Sequence, residues 1–245
     1  MCKNGCSRPM VSKQFKKHYK MPLNESITTD DTGCSLQICI SFMDSNYYLC
    51  RHSFLHMQAD NKTKANNIIT VRRYSSPCGM LVMGSYGGRL CMCDWEAGRR
   101  HANTENRLRR ILNATFKEGS SPVIETATSQ LDEYFAGERH NFTVPLLFAG
   151  TAFQQKVWNE LPCIHYGHTM SYGEMAAKMG MPDAVRAVAN ANGANPISII
   201  VPCHRVIGSN KSLTGYGGGL AAKEYLLQLE RGNIEPGLFH QYFFV

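Results

Sequence analysis

Ser171-Tyr172-Gly173-Glu174-Met175-Ala176-Ala177-Lys178-Met179-Gly180-Met181-Pro182-Asp183-Ala184-Val185-Arg186-Ala187-Val188-Ala189-Asn190-Ala191 is the stretch whose pattern decides how the second half of this chain folds. Ser171 followed three residues later by Glu174 is a capping-box signature, and it predicts a helix running to Lys178. Met179 to Pro182 reads as a tight turn, and Asp183 as the cap of a second helix from Ala184 to about Ala191. Two short helices joined by a glycine-containing turn read as a helix-turn-helix. The second helix is small-sided: Ala184, Ala187, Ala189 and Ala191 surround a single charge, Arg186. Two readings stay level at this point. One is an alanine-rich core helix; the other is a helix whose small side chains let its backbone approach a surface closely while Arg186 inserts or reaches a phosphate.

Downstream lies Asn195-Pro196-Ile197-Ser198-Ile199-Ile200-Val201-Pro202-Cys203-His204-Arg205-Val206. The β-branched run Ile199 to Val201 predicts a short buried strand, stopped by Pro202, which has no N–H for a ladder. A thiol, an imidazole and a guanidinium follow at once. Positive charge or a hydrogen-bonded imidazole beside a cysteine favours the reactive thiolate. Taken alone, however, Cys203 and His204 read first as a buried structural thiol beside a surface imidazole, because Cys is among the most buried residue types. Gly208 to Ser212 reads as a hairpin turn with Leu213 to Tyr216 returning. Gly217-Gly218-Gly219 leads into a last helix, Leu220 to Arg231, ended by Gly232. Helix-turn-helix, strand, hairpin and closing helix make a winged-helix-like layout.

Upstream, Thr151 caps a helix to Leu161 with Phe153, Val157, Trp158 and Leu161 inward, and a boundary falls near Pro145 to Gly150. The half before it carries strand patterns at Ile68–Tyr74, Gly79–Ser85 and Arg89–Trp95, the last two joined by Tyr86-Gly87-Gly88. Helical patterns follow at Glu105–Phe116, capped by Thr104, and from Pro122 to Gly137; Phe142–Phe148 reads as extended. This is a small antiparallel sheet covered by helices, an α+β module. The expected organisation is a leader over residues 1–66, domains over 67–147 and 148–232, and a tail over 233–245.

The 245 residues carry a net charge of +7, and 43% are hydrophobic. Nine Lys or Arg against five Asp or Glu concentrate part of that charge in residues 1–66. A modest positive excess permits a polyanionic partner without demanding one. No run approaches the ~18 apolar residues of a membrane span, and no secretory signal is visible. The ten cysteines are scattered, several inside apolar runs, which points to a reduced, intracellular, cytoplasmic protein. Cys2/Cys6, Cys34/Cys39 and Cys50/His52/His56 do not assemble into a zinc signature, and His165 and His168 lack a nearby ligand set, so no metal is expected.

With these parts placed, the sequence resembles the O6-alkylguanine-DNA alkyltransferase family, from about Ile68 to Glu230 and most densely from Phe153 onward. The segments that carry the resemblance stand in the family's order. They are Phe153 to Trp158, Ser171 to Glu174, Arg186-Ala187-Val188, Asn195-Pro196 leading into Val201 to Gly208, Thr214-Gly215-Tyr216, Gly218-Gly219-Leu220, and Lys223 to Leu227 with Glu230. The resemblance implies a ribonuclease-H-like first domain and a helix-turn-helix second domain that carries the reactive cysteine.

It further implies double-stranded DNA bearing O6-alkylguanine as partner, bound through the minor groove by a monomeric protein that needs no cofactor. In a bacterium this would be a cytoplasmic, nucleoid-associated protein of the constitutive type. Cys203 would be nucleophile and methyl acceptor, with His204 as base through a water and Glu230 polarising the imidazole. Asn195 would brace the turn, Tyr172 assist the leaving guanine and contact DNA, and Lys223 support the site electrostatically. Arg186 and Ala187 would meet DNA, Arg186 filling the gap left by the extruded guanine. Val206, Gly217, Gly218 and Gly219 would line the base pocket. Long-chain members of the family carry a structural zinc in the first domain, and its ligands cannot be matched here. The alternatives are a non-enzymatic, alkyltransferase-like lesion-binding protein, against which Cys203 argues, and an unrelated Cys-His hydrolase, which would not require the helix-turn-helix.

Overall fold

In the computed structural model of the chain the residues described are 67–98 and 100–234. The expectations for the leader, its cysteines and histidines, and the end of the tail lie outside them. Three strands open the fold, β1 (Ile68–Ser76), β2 (Gly79–Tyr86) and β3 (Arg89–Trp95), followed by helix α1 (His101–Leu112), strand β4 (Thr115–Glu118) and helix α2 (Pro122–Phe135). The sheet order is β3-β2-β1-β4. Gly87 and Gly88, both at positive φ (55° and 73°), make the two-residue β2–β3 turn, a backbone that matches the twist of the flanking strands.

Three sequence expectations fail in this half, two of them for one physical reason. The stripe Leu108, Leu112, Phe116 continues at helical spacing, so the pattern extends the helix to Phe116. Asn113, however, adopts φ 47° and closes α1 with its N–H on the Arg109 carbonyl, a left-handed geometry that asparagine tolerates better than most residues. The chain beyond it turns extended and pairs with β1 in parallel, Phe116 opposite Ile69. The sheet is therefore mixed rather than antiparallel. Separately, α1 begins at His101, so Thr104 is a buried residue inside it rather than its cap.

The second half contains helix α3 (Ala152–Glu160), a two-residue strand β5 (Met170–Ser171), helix α4 (Tyr172–Lys178), helix α5 (Val185–Gly193), strand β6 (Val206–Ile207) and helix α6 (Gly219–Glu230). Both capping boxes form: Thr151 with Gln154 on α3, and Ser171 with Glu174 on α4. Asp183 does not cap α5. It sits in a single 3₁₀ turn, Pro182–Ala184, and Ala184 stands at the cap position without a side-chain bond. The returning wing strand is also absent: β6 pairs in parallel with β5, Met170 opposite Val206 and Ser171 opposite Ile207. This pairing ties the residue heading α4 to the segment just after Cys203.

One apolar core runs through both halves, from Tyr74, Leu81 and Trp95 through Tyr134 to Trp158, Val188 and Leu226. A smaller one lies between α1 and the sheet, around Ile69, Met92 and Leu108. Trp158 is fully buried, and its indole N–H bonds the Ala191 carbonyl at 2.8 Å, locking α3 against α5. The outer edge of β3 is not left bare. Leu90 exchanges backbone bonds with Pro145 and Leu147, and Cys93 does so with Pro196 and Ser198, at 2.9 and 2.7 Å. An exposed strand edge invites unwanted pairing; here it is occupied by the segment that leads into Cys203. Among the described residues no helix is long and apolar enough to cross a membrane.

Candidate active site

The segment before Cys203 is a tight turn, not the strand its β-branched residues suggest. Asn195 organises it. Its Nδ2 donates to the carbonyls of Ile197 and Val201 (3.1 and 2.9 Å), and its Oδ1 accepts from the Ile197 N–H (3.0 Å). Ile199 is thereby held at φ 68°, a conformation that costs a β-branched residue on the order of 1–3 kcal/mol. Pro202 precedes a 3₁₀ turn, Cys203–Arg205, all three residues of which are buried. Asn192 adds a bond from its side chain to the Cys203 carbonyl at 3.3 Å.

The carboxylate of Glu230, the last residue of α6, gathers donors from four residues. His204 Nε2 lies 2.7 Å away, Arg205 donates from Nε and from a terminal nitrogen (2.9 and 3.1 Å), and the Tyr134 hydroxyl and the Gly167 N–H donate at 2.7 and 3.2 Å. Gly167 has φ 75°, and a Cβ there would meet the Glu230 carbonyl at 2.9 Å, so the approach requires glycine. Burial pushes the Glu230 carboxyl up, but His204 and Arg205 outweigh it and hold the group well below the usual carboxylate range. Burial pushes His204 down, with Glu230 working the other way. A neutral imidazole facing an ionised carboxylate carries its proton on Nε2. Nδ1 then keeps a lone pair, and it has no hydrogen-bond partner among the described residues.

Lys223, on α6, is fully buried. Its ammonium donates to the carbonyls of Val206 (2.6 Å) and Thr214 (3.0 Å). Burial lowers its pKa to about 8, with the nearby Cys203 pulling upward. Cys203 itself is pushed up to about 11 by burial, against the Asn195 hydrogen bond and the Lys223 charge. At neutral pH the resting group is therefore a thiol. Capture of Cys203 by iodoacetamide in the native protein is expected to rise about tenfold per pH unit from pH 7 to 10. A plateau near pH 8.5, read on the Cys203 peptide by mass spectrometry, would contradict it.

The structure thus brings Cys203, His204, Glu230, Asn195, Lys223 and Val206 into one connected cluster. Tyr172 is half-buried at the head of α4, linked to the cluster through the β5–β6 pairing. Gly217 lines a cavity of about 20 Å³ together with Cys203, Asn195 and Tyr216. Gly218 packs against Trp95, where a Cβ would fall 2.5 Å from the ring, and Gly219 begins α6 at φ 86°. Arg186 and Ala187 are exposed on α5, whose other face buries Val188, Ala191 and Asn192. The small-residue helix is therefore half core and half open surface. Sequence reasoning missed Tyr134, which reads as one of the α2 core stripe, and read Arg205 only as positive charge beside the cysteine, whereas its guanidinium pairs with Glu230. No group of three or more His, Cys, Asp or Glu side chains among the described residues is arranged to hold a metal ion.

Fold and site together define a two-part protein in which a buried cysteine, flanked by a His–Glu pair, stands behind a helix-turn-helix. Residues 69–148 match the ribonuclease-like domain of 6-O-methylguanine DNA methyltransferase, and residues 152–232 match its DNA binding domain. The methylated-DNA–protein-cysteine methyltransferase of Mycolicibacterium paratuberculosis is 57% identical over 177 residues, covering 70% of this chain and 98% of the relative. The protein of the same name from Haemophilus influenzae is 40% identical over 178 residues, 69% of this chain and 94% of its own. Among solved structures, Mycobacterium tuberculosis OGT in complex with DNA superposes with a TM-score of 0.59 at 43% identity, covering 69% of this chain and 98% of that one. The chain belongs to the 6-O-methylguanine DNA methyltransferase family.

Proposed function

We propose that the protein repairs DNA by moving the alkyl group of O6-alkylguanine, methyl above all, onto its own Cys203. The observation that carries this reading is the buried Cys203 beside a His204–Glu230 pair whose Nδ1 is left to accept a proton. In the step itself the Cys203 thiol gives its proton through a water to His204 Nδ1. The sulfur then attacks the alkyl carbon in line, the carbon–O6 bond breaks, and O6 of guanine leaves with the electron pair. Glu230 stabilises the imidazolium, as the third member of such relays does. Tyr172 hydrogen-bonds or protonates the leaving base, Lys223 offsets developing negative charge, and Asn195 holds the turn. The product is a thioether, which is neither nucleophile nor easily cleaved. Each molecule reacts once and needs no cofactor.

Double-stranded DNA is the partner on this reading, met in the minor groove by the exposed face of α5, where Arg186 and Ala187 lie. Arg186 takes the place of the extruded guanine, offsetting an unstacking cost of a few kcal/mol. Val206 and Gly217 to Gly219 border the base. The two domains divide near residue 148, and the protein acts as a monomer in the cytoplasm, at the nucleoid. A protein that only binds lesions has no use for a nucleophile so supported.

Arg186→Ala is expected to slow methyl transfer from duplex DNA on the order of 10- to 100-fold while leaving transfer from the free base O6-methylguanine unchanged. Single-turnover rates on the two substrates test this. Equal losses on both would overturn the role in extrusion.

A further inference from the structure

The stretch Gly217–Gly219 belongs to the second half of the chain, but the residue that shapes it comes from the first. Trp95 ends β3, is 3% exposed, and brings its indole against the chain that leads into α6. Gly218 has φ −83° and ψ 5°, a backbone open to residues other than glycine. Conformation therefore does not keep a side chain away; space does. A Cβ at Gly218 would lie 2.5, 2.6 and 2.9 Å from three indole atoms, and one at Gly217 would lie 3.2 Å from the ring. Gly98, three residues after Trp95, closes the same contact: its own Cβ would meet the Gly217 carbonyl oxygen at 3.1 Å. Gly219 differs, since nothing lies within 4 Å of where its Cβ would be and only its φ of 86° favours glycine.

The same indole reaches the catalytic cluster. It meets Tyr216 edge-on, with centroids 5.8 Å apart and planes at 70°, and Tyr216 meets His204 at 6.3 Å and 75°. Tyr216 and Gly217 line the cavity onto which Cys203 opens. β3 also holds the cysteine-bearing turn, through the Cys93 pairing with Pro196 and Ser198. One strand of the first domain thus fixes two sides of the site, the turn by its backbone and the glycine stretch by Trp95. A displacement of about 1 Å in groups that seat a substrate can cost about 100-fold in rate.

We propose that Trp95 is a positioning residue for alkyl transfer: by packing against Gly217 and Gly218 it sets where the wall beside the base stands. The proposal rests on the reading that Gly217 to Gly219 border the guanine, and it adds the residue that places them. Trp95 acts through that backbone rather than on the base or the sulfur.

Reciprocal substitution in the full chain tests it. Gly218→Ala drives a methyl group into the indole, and it is expected to slow single-turnover methyl transfer about 10- to 100-fold. The loss is expected from duplex DNA and from free O6-methylguanine alike, because both must seat the base. Trp95→Val removes the ring atoms in the way. The double variant is expected to react at least about fivefold faster than Gly218→Ala alone, a coupling that two independent packing defects would not show. Capture of Cys203 by iodoacetamide, which needs no seated base, is expected to stay at the wild-type rate in all three. Wild-type transfer in Gly218→Ala, a double variant no faster than it, or iodoacetamide capture lost together with transfer would each overturn the proposal. A loss confined to duplex DNA would instead sink the reading that this stretch borders the base, and absence of methyl transfer in the wild type would sink the alkyl-transfer reading itself. Should either Gly218 variant not fold, Trp95→Val alone decides: slower transfer from both substrates with unchanged iodoacetamide capture supports the role, and wild-type transfer overturns it.

Discussion

Cys203→Ala is expected to abolish acceptance of a labelled methyl group from O6-methylguanine DNA, while Cys93→Ala is expected to retain it. The two thiols are both buried in strand-and-turn surroundings, and burial pushes both up, Cys203 to about 11 and Cys93 further. What separates them is company. Cys203 has the Asn195 amide and the Lys223 ammonium working against its burial, and it sits next to His204, whose Nδ1 has no hydrogen-bond partner among the described residues. Asp94 disfavours a thiolate at both sulfurs, and at Cys93 no cation or hydrogen bond works against it. The alanine variant still folds, since removing one small buried group costs about 1–2 kcal/mol, and it still binds duplex DNA. A Cys203→Ala protein of native stability that took up label would sink the assignment of the nucleophile.

Glu230→Gln is expected to have the second large effect, on stability and on rate together. The amide has nearly the same volume, so packing is kept while the charge is lost. Arg205 is then a buried cation without its anion, and breaking such a pair from one side costs about 3–5 kcal/mol. Tyr134 and His204 lose a charged acceptor at 2.7 Å each. Urea unfolding reads the first effect, and single-turnover methyl transfer reads the second. The rate is expected to fall about 10²-fold or more, because His204 is no longer a strengthened base. The pH dependence follows from the same group. Its folded pKa is depressed, so its stabilisation is complete above the unfolded value of about 4.3 and is lost as pH falls through the folded value below it. Glu230→Gln lacks that acid limb. A variant within 1 kcal/mol and threefold of the wild type would contradict both parts.

Much of this site could be read from the chain because its members sit where local rules are strong. Cys203, His204 and Arg205 are adjacent, Lys223 and Glu230 share one helix at spacing seven, and the Ser171–Glu174 box marks a helix start by itself. What could not be read depends on side chains acting over distance. Ile199 to Val201 has every local mark of a strand, yet Asn195 takes the carbonyls a ladder would use and turns the chain. Tyr134 reads as core, since nothing local says that its hydroxyl meets a carboxylate 96 residues on. β4 was hidden because Phe116 keeps the helical spacing of Leu108 and Leu112, while the break comes from the backbone of Asn113. The pairing of Cys93 with Pro196 and Ser198 is likewise a tertiary fact, and it anchors the cysteine-bearing turn to the sheet of the first half.

The central claim is that Cys203 accepts an alkyl group once and keeps it. Mass spectrometry of the intact protein and of its Cys203 peptide, after incubation with excess O6-methylguanine duplex, tests it most directly. The account predicts a gain of one methyl group per protein molecule, located on Cys203, with one guanine restored per protein consumed and no further reaction. Restoration of guanine beyond one equivalent, or a methyl group found on another residue with Cys203 unmodified, would contradict it.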